Sequence, residues 1–163
     1  MPTVVSEPSS REAATSGATA GLIASVIQVL IGLLLDKCLL PPRQHNNIAP
    51  RLIKRLFQKQ GRPPHPLRDW ILGTLFHLAY GISWGCAFGL ARRWLPIPSP
   101  LLGGAVGLLI YIVAFSQIGV GTRTQTERPP QHRGWRKQFS LVAVAGAFAI
   151  TVAAGYDALI ECT

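Results

Sequence analysis

Inside the apolar runs of this 163-residue chain stand four side chains able to move a proton or hold a polar ligand: Gln28, Asp36, His77 and Gln117. Polar groups are costly in hydrocarbon, so each of them calls for a partner or a purpose. Gly21, Ser25, Gln28, Gly32 and Asp36 follow a 4-3-4-4 spacing, which is one face of a helix. Gly103, Gly107, Ile110, Ala114, Gln117 and Gly121 do likewise. His77 falls roughly 12 Å inside its run, and Asp36 and Gln117 fall in the same half. The set predicts one polar pocket in which Asp36 and His77, both responsive to burial, exchange a proton. That is the chemistry of a proton relay or a small permease. The plainer alternative has Asp36 neutralising Lys37 or Arg43, and His77 hydrogen-bonding a neighbouring helix.

Other chemistry is thinly provided for. No phosphate-cradling Gly-Lys motif, HExxH or CxxC occurs, and nothing pairs a nucleophile with a base, so the reading is not an enzyme. Cys38, Cys86 and Cys162 are odd in number and too scattered to pair. His45, His65 and His132 lie in basic loops without metal-ligand spacing and read as solvated, so no metal site is predicted.

A packing pattern is plainer. Gly81, Gly85 and Gly89 recur every four residues, opening a groove that another backbone can enter, and His77 begins the same stripe. Beside it runs an aromatic stripe of Phe76, Tyr80, Trp84 and Phe88. Gly103 and Gly107, Gly17 and Gly21, and Ala143 and Ala147 repeat the small-residue spacing. The glycines predict tight helix packing, within one chain or between two. The aromatics predict core packing, lipid contact, or a face for a flat hydrophobic molecule such as a lipid, quinone or pigment.

These residues need elements to carry them. Four apolar stretches, about 16–40, 70–91, 101–121 and 139–160, are each long enough to cross a bilayer as a helix. They show no period-two alternation of a membrane barrel. Residues 36–68 carry eight Lys and Arg, residues 122–138 carry five, and the remaining segments carry Arg11, Arg92 and Arg93 alone. The asymmetry predicts loops 41–69 and 122–138 in the cytoplasm and both termini outside. Trp70, Trp94 and Trp135 sit at predicted span ends, where indoles favour the headgroup layer.

The first stretch reads as a retained helix, because Arg11 stands against Glu7 and Glu12 and no basic leader precedes it. Residues 1–15 read as a disordered tail outside the membrane, and 16–163 as a single domain. Proline sets at 41–42, 63–66, 96–100 and 129–130 mark where helices stop. Between the first two, residues 47–59 read as a short amphipathic helix, with Asn47 as its cap and Ile48, Leu52, Ile53, Leu56 and Phe57 on one face. The net charge of +9 flanks membrane helices on one side, which argues for topology and anionic headgroups rather than nucleic acid.

The run Gly21-Leu22-Ile23-Ala24, Asp36 fifteen positions on, and then Leu40-Pro41-Pro42-Arg43 resembles the start of the YagU-like bacterial inner-membrane proteins. His77 with Gly81, Gly85 and Gly89, then Pro96 and Leu102-Gly103-Gly104-Ala105, is similar to their middle. The resemblance spans most of residues 20–115 and implies a bacterial inner-membrane setting without implying a reaction.

Together these readings predict an all-α polytopic membrane protein, with four transmembrane helices and a short cytoplasmic amphipathic helix between the first two. Its expected role is that of a structural or accessory subunit, acting through helix packing and contact with lipid or a hydrophobic cofactor. Its expected partners are the bilayer, other membrane subunits or a second copy, with no nucleic acid. No resident cofactor is predicted, although a bound lipid, quinone or pigment would suit the aromatic face. A small transporter using Gln28, Asp36, His77 and Gln117 is the alternative.

Overall fold

The computed structural model describes residues 8–40 and 48–162, and every regular element in them is helical. The tail before Pro8, the Pro41-Pro42-Arg43 turn, His45 and the Asn47 cap lie outside the described residues. Four long elements, α1 (Ser10–Leu39), α3 (Pro66–Trp94), residues Ser99–Arg123 and α6 (Trp135–Glu161), are long and apolar enough to cross a membrane.

Helix α1 begins at Ser10, ahead of the predicted span, because residues 9–12 close a capping box. The Ser9 hydroxyl accepts from the Glu12 N–H at 3.2 Å, and the Glu12 carboxylate accepts from the Ser9 N–H at 2.7 Å. Residues 10–15, expected in the tail, are thereby helical. Between α1 and α3 lies α2 (Ile48–Lys59), with Leu52 buried and Lys54, Arg55 and Lys59 exposed. His65 caps α3 by accepting from the Arg68 N–H at 3.3 Å, and Pro66 occupies the first turn, where a missing N–H costs nothing.

The third stretch departs from its predicted span. Helix α4 (Ser99–Phe115) stops at Ser116, and after a turn the chain folds back as α5 (Val120–Arg123). Glycine permits the fold-back: a β-carbon at Gly121 would lie 2.7 Å from the Ala114 carbonyl oxygen. The Arg133 guanidinium donates to the Phe115 carbonyl at 2.8 Å, satisfying one of the acceptors that a helix end leaves open.

The seams are built from small residues. Helix α1 runs antiparallel to α3, with Gly17 and Gly21 set against Gly81, Gly85 and Gly89. On the other side α1 packs along α6, and α4 runs antiparallel to α6 with Gly103 and Gly107 against Ala145, Ala149 and Ala153. Without Cβ atoms the backbones approach closely, and dispersion contacts hold them together. Phe88, Ile110, Phe148, Val152 and Tyr156 fill the centre. Leu30, Leu33, Leu34, Leu75, Leu101, Leu108 and Ile150 point outward, exposed. The order around the bundle is thus α3, α1, α6, α4, and the seam that would close it, α3 against α4, is sparse.

Candidate functional site: a slot between α3 and α4

The stripe on α3 is longer than its three glycines suggest, for Gly73, His77, Gly81, Gly85 and Gly89 share one four-residue spacing. Helix α1 covers Gly81 to Gly89. Helix α2 sits on Gly73, where an added β-carbon would come within 2.6 Å of the Pro50 Cα. His77 falls between the two seats. The antiparallel register carries α1 past Ser25, which covers Gly81, toward Gln28 at the level of His77.

The result is a cavity of about 130 Å³ walled by Gln28, Phe76, His77, Tyr80, Ile110 and Phe115, with α2 and α5 closing one end. At about 30 Å³ per water, it has room for about four waters or one small ring. Its surface is mostly apolar, yet two polar atoms on it are buried and find no hydrogen-bond partner among the described residues: His77 Nε2 and Tyr80 Oη. The imidazole leans on the Ser25 backbone, leaving Nε2 to find its partner elsewhere. Tyr80 faces the Trp84 indole edge-on at 6.0 Å between ring centroids. An indole N–H only donates, so the Tyr80 proton still lacks an acceptor. Buried polar groups are normally paired, and leaving one unpaired costs about 1–3 kcal/mol.

The predicted site residues divide accordingly. Gln28 and His77 both line the slot, whereas Asp36 and Gln117 do not. Asp36 instead acts electrostatically on Lys137 of α6, and Gln117 is exposed in the turn after α4, because the helix that would have aimed it inward ends at Phe115. Of the aromatic stripe, Phe76 and Tyr80 stack at 6.1 Å and line the slot, and Trp84 packs half-buried against the core. Phe88 corrects the expected ligand face: it is 0 % exposed and meets Tyr156 edge-on at 5.5 Å, because the stripe winds into the bundle. The packing glycines Gly81, Gly85, Gly89, Gly103 and Gly107 are occupied within the chain by α1 and α6.

A second polar cluster was not anticipated. Glu127, only 9 % exposed, lies 3.6 Å from Arg51 of α2 and 3.7 Å from Lys137, itself 6 % exposed. Arg133 completes the group; burial holds its pKa below the ordinary value against the smaller opposing effects of Glu127 and then Tyr111, and an arginine so placed remains cationic. The sequence carried one signal: Glu127 is the single acid among five cations in residues 122–138. At the opposite end Ser99 accepts from Arg92 at 2.6 Å and donates to Asp157 at 2.6 Å, tying α3, α4 and α6.

No family model, curated protein or solved structure matches this chain.

Proposed function

We propose that this chain is a small integral-membrane accessory protein whose packed helices hold, in the α3–α4 slot, a lipid-soluble molecule bearing a carbonyl or hydroxyl oxygen. The observation that carries this reading is the pair of unsatisfied polar atoms, His77 Nε2 and Tyr80 Oη, on the wall of an otherwise apolar cavity. A carbonyl would accept from Tyr80, and a hydroxyl would donate to His77. A quinone and its quinol offer both, and Phe76 supplies a flat surface beside them.

The setting follows from charge and shape. The excess of Lys and Arg in residues 36–68 and 122–138 supports a cytoplasmic side for loops 41–69 and 122–138, with both termini outside. Helix α2, with its exposed cations, lies along the inner interface. The resemblance to YagU-like proteins supports a bacterial inner membrane. The permease alternative needs Asp36 beside His77; Asp36 acts on Lys137 instead, which favours holding over proton transfer.

A short-chain benzoquinone provides the test. The full chain is placed in vesicles with Trp70, Trp94 and Trp135 changed to Phe, leaving Trp84 beside Tyr80 as reporter. The expected result is saturable quenching of Trp84, weakened about tenfold by His77→Phe, as the loss of one buried hydrogen bond requires. Linear, non-saturating quenching that is equal in both proteins would mean simple partitioning into lipid, and the reading would fall.

A further inference from the structure

Residues within 122–134, with Arg51 and Lys137, line a second, half-open cavity of about 600 Å³, which shares Thr126 with the α3–α4 slot. Four cations, Arg51, Arg128, Arg133 and Lys137, face one carboxylate, Glu127, across it. Glu127 stands between Arg51 and Lys137 and fixes them in place without balancing the remaining charge. Asp36 adds a second negative charge from α1, outside the lining residues. Arg133 is held by its donation to the Phe115 carbonyl at 2.8 Å and to the Arg128 carbonyl at 2.5 Å, while its other terminal nitrogen is buried with no partner among the described residues.

The backbone adds to this field. Gly134, the cap residue of the 27-residue helix α6, lines the same cavity, and no side chain caps that helix. A helix N-terminus carries about half a positive charge and attracts anions, so helix and guanidinium groups act on the same space. Trp135 and Trp70, both exposed, stand at this end of their helices.

We infer that this cavity binds a phosphate-bearing anion, and that in the membrane setting proposed above the phosphate is that of an anionic lipid headgroup. Arginine suits the task because its planar fork matches phosphate oxygens. The apolar faces of α3 and α6 would carry the acyl chains. The site depends on the proposed membrane setting but not on the occupant of the α3–α4 slot.

Native mass spectrometry of the full chain from vesicles of neutral phosphatidylcholine with added phosphatidylglycerol reads the site directly. Arg128 is exposed and its carbonyl accepts from Arg133, a contact that Arg128→Gln keeps, so the variant should fold normally. It should weaken phosphatidylglycerol retention about fivefold, the effect of one cation near a membrane surface. Arg136→Gln removes a neighbouring cation that does not line the cavity and should leave retention unchanged, as should His77→Phe. Inorganic phosphate added to protein in neutral lipid separates the two sources. If phosphate alone raises thermal stability, and Arg128→Gln abolishes the rise while phosphatidylglycerol is not retained, the anion site stands with a soluble ligand. Equal losses in Arg128→Gln and Arg136→Gln, or no binding of either probe, would overturn it.

Discussion

Gly85 and Gly21 meet so closely across α1 and α3 that a β-carbon on Gly85 would lie 2.6 Å from the Gly21 Cα. No side chain intervenes at that level, and neither helix can move away without opening the seam. The same contact sets the register that brings Gln28 and His77 to the walls of one slot.

Gly85→Leu should therefore destabilise the bundle by about 3 kcal/mol or more, as overpacking against backbone does. Gly104→Leu is the matched control, because nothing among the described residues lies within 4 Å of a β-carbon there. Chemical unfolding in mixed micelles, followed by circular dichroism, should show a lower midpoint for the first and an unchanged one for the second.

Removing Glu127 should also be costly. Glu127→Gln leaves Arg51 and Lys137 without the carboxylate between them, and breaking a buried ion pair from one side costs about 3–5 kcal/mol. Lys137→Gln should cost less, since Glu127 keeps Arg51 and the other positive charges around it. A double-mutant cycle measured by unfolding midpoints checks the coupling; additive losses would mean that the pair does not act as one.

Arg133→Ala should loosen the end of α4. The variant loses the donor to the Phe115 carbonyl, a charge-assisted bond worth about 1.5–3 kcal/mol. Hydrogen exchange should accelerate in residues 112–124 and stay unchanged at the Ser99 end, which Arg92 and Asp157 hold.

Topology can be read from the native cysteines. Cys38 is exposed at the end of α1 near the basic loops, and Cys162 is exposed beyond the end of α6. In sealed right-side-out vesicles a membrane-impermeant maleimide should label Cys162 and reach Cys38 only after permeabilisation. Labelling of Cys38 alone in intact vesicles would invert the proposed orientation.

Much of this architecture was legible in the sequence because hydropathy and glycine spacing are local properties. Helices α1, α3 and α6 lie where their apolar runs lie. Gly81, Gly85 and Gly89 announce a close approach, but the stripe does not say which helix fills it; the match with Gly17 and Gly21 is a tertiary fact. Periodicity carried Gln117 on a helix that Ser116 and Gly119 interrupt, so its apparent face never forms. The aromatic stripe leaves core packing and a ligand face both open in sequence, and the fold divides them: a four-residue stripe winds around its helix, reaching the slot at Phe76 and the core at Phe88. Glu127 was hidden because a charged, proline-bearing loop reads as solvated until its fold-back buries it.

The most direct measurement is native mass spectrometry of wild-type and His77→Phe protein purified in mild detergent from the natural host, with organic extraction of whatever is bound. The wild type should carry a small apolar molecule with a carbonyl or hydroxyl oxygen, missing from His77→Phe, while anionic lipid stays on both. A wild-type chain bearing nothing that His77→Phe lacks would contradict the proposed function.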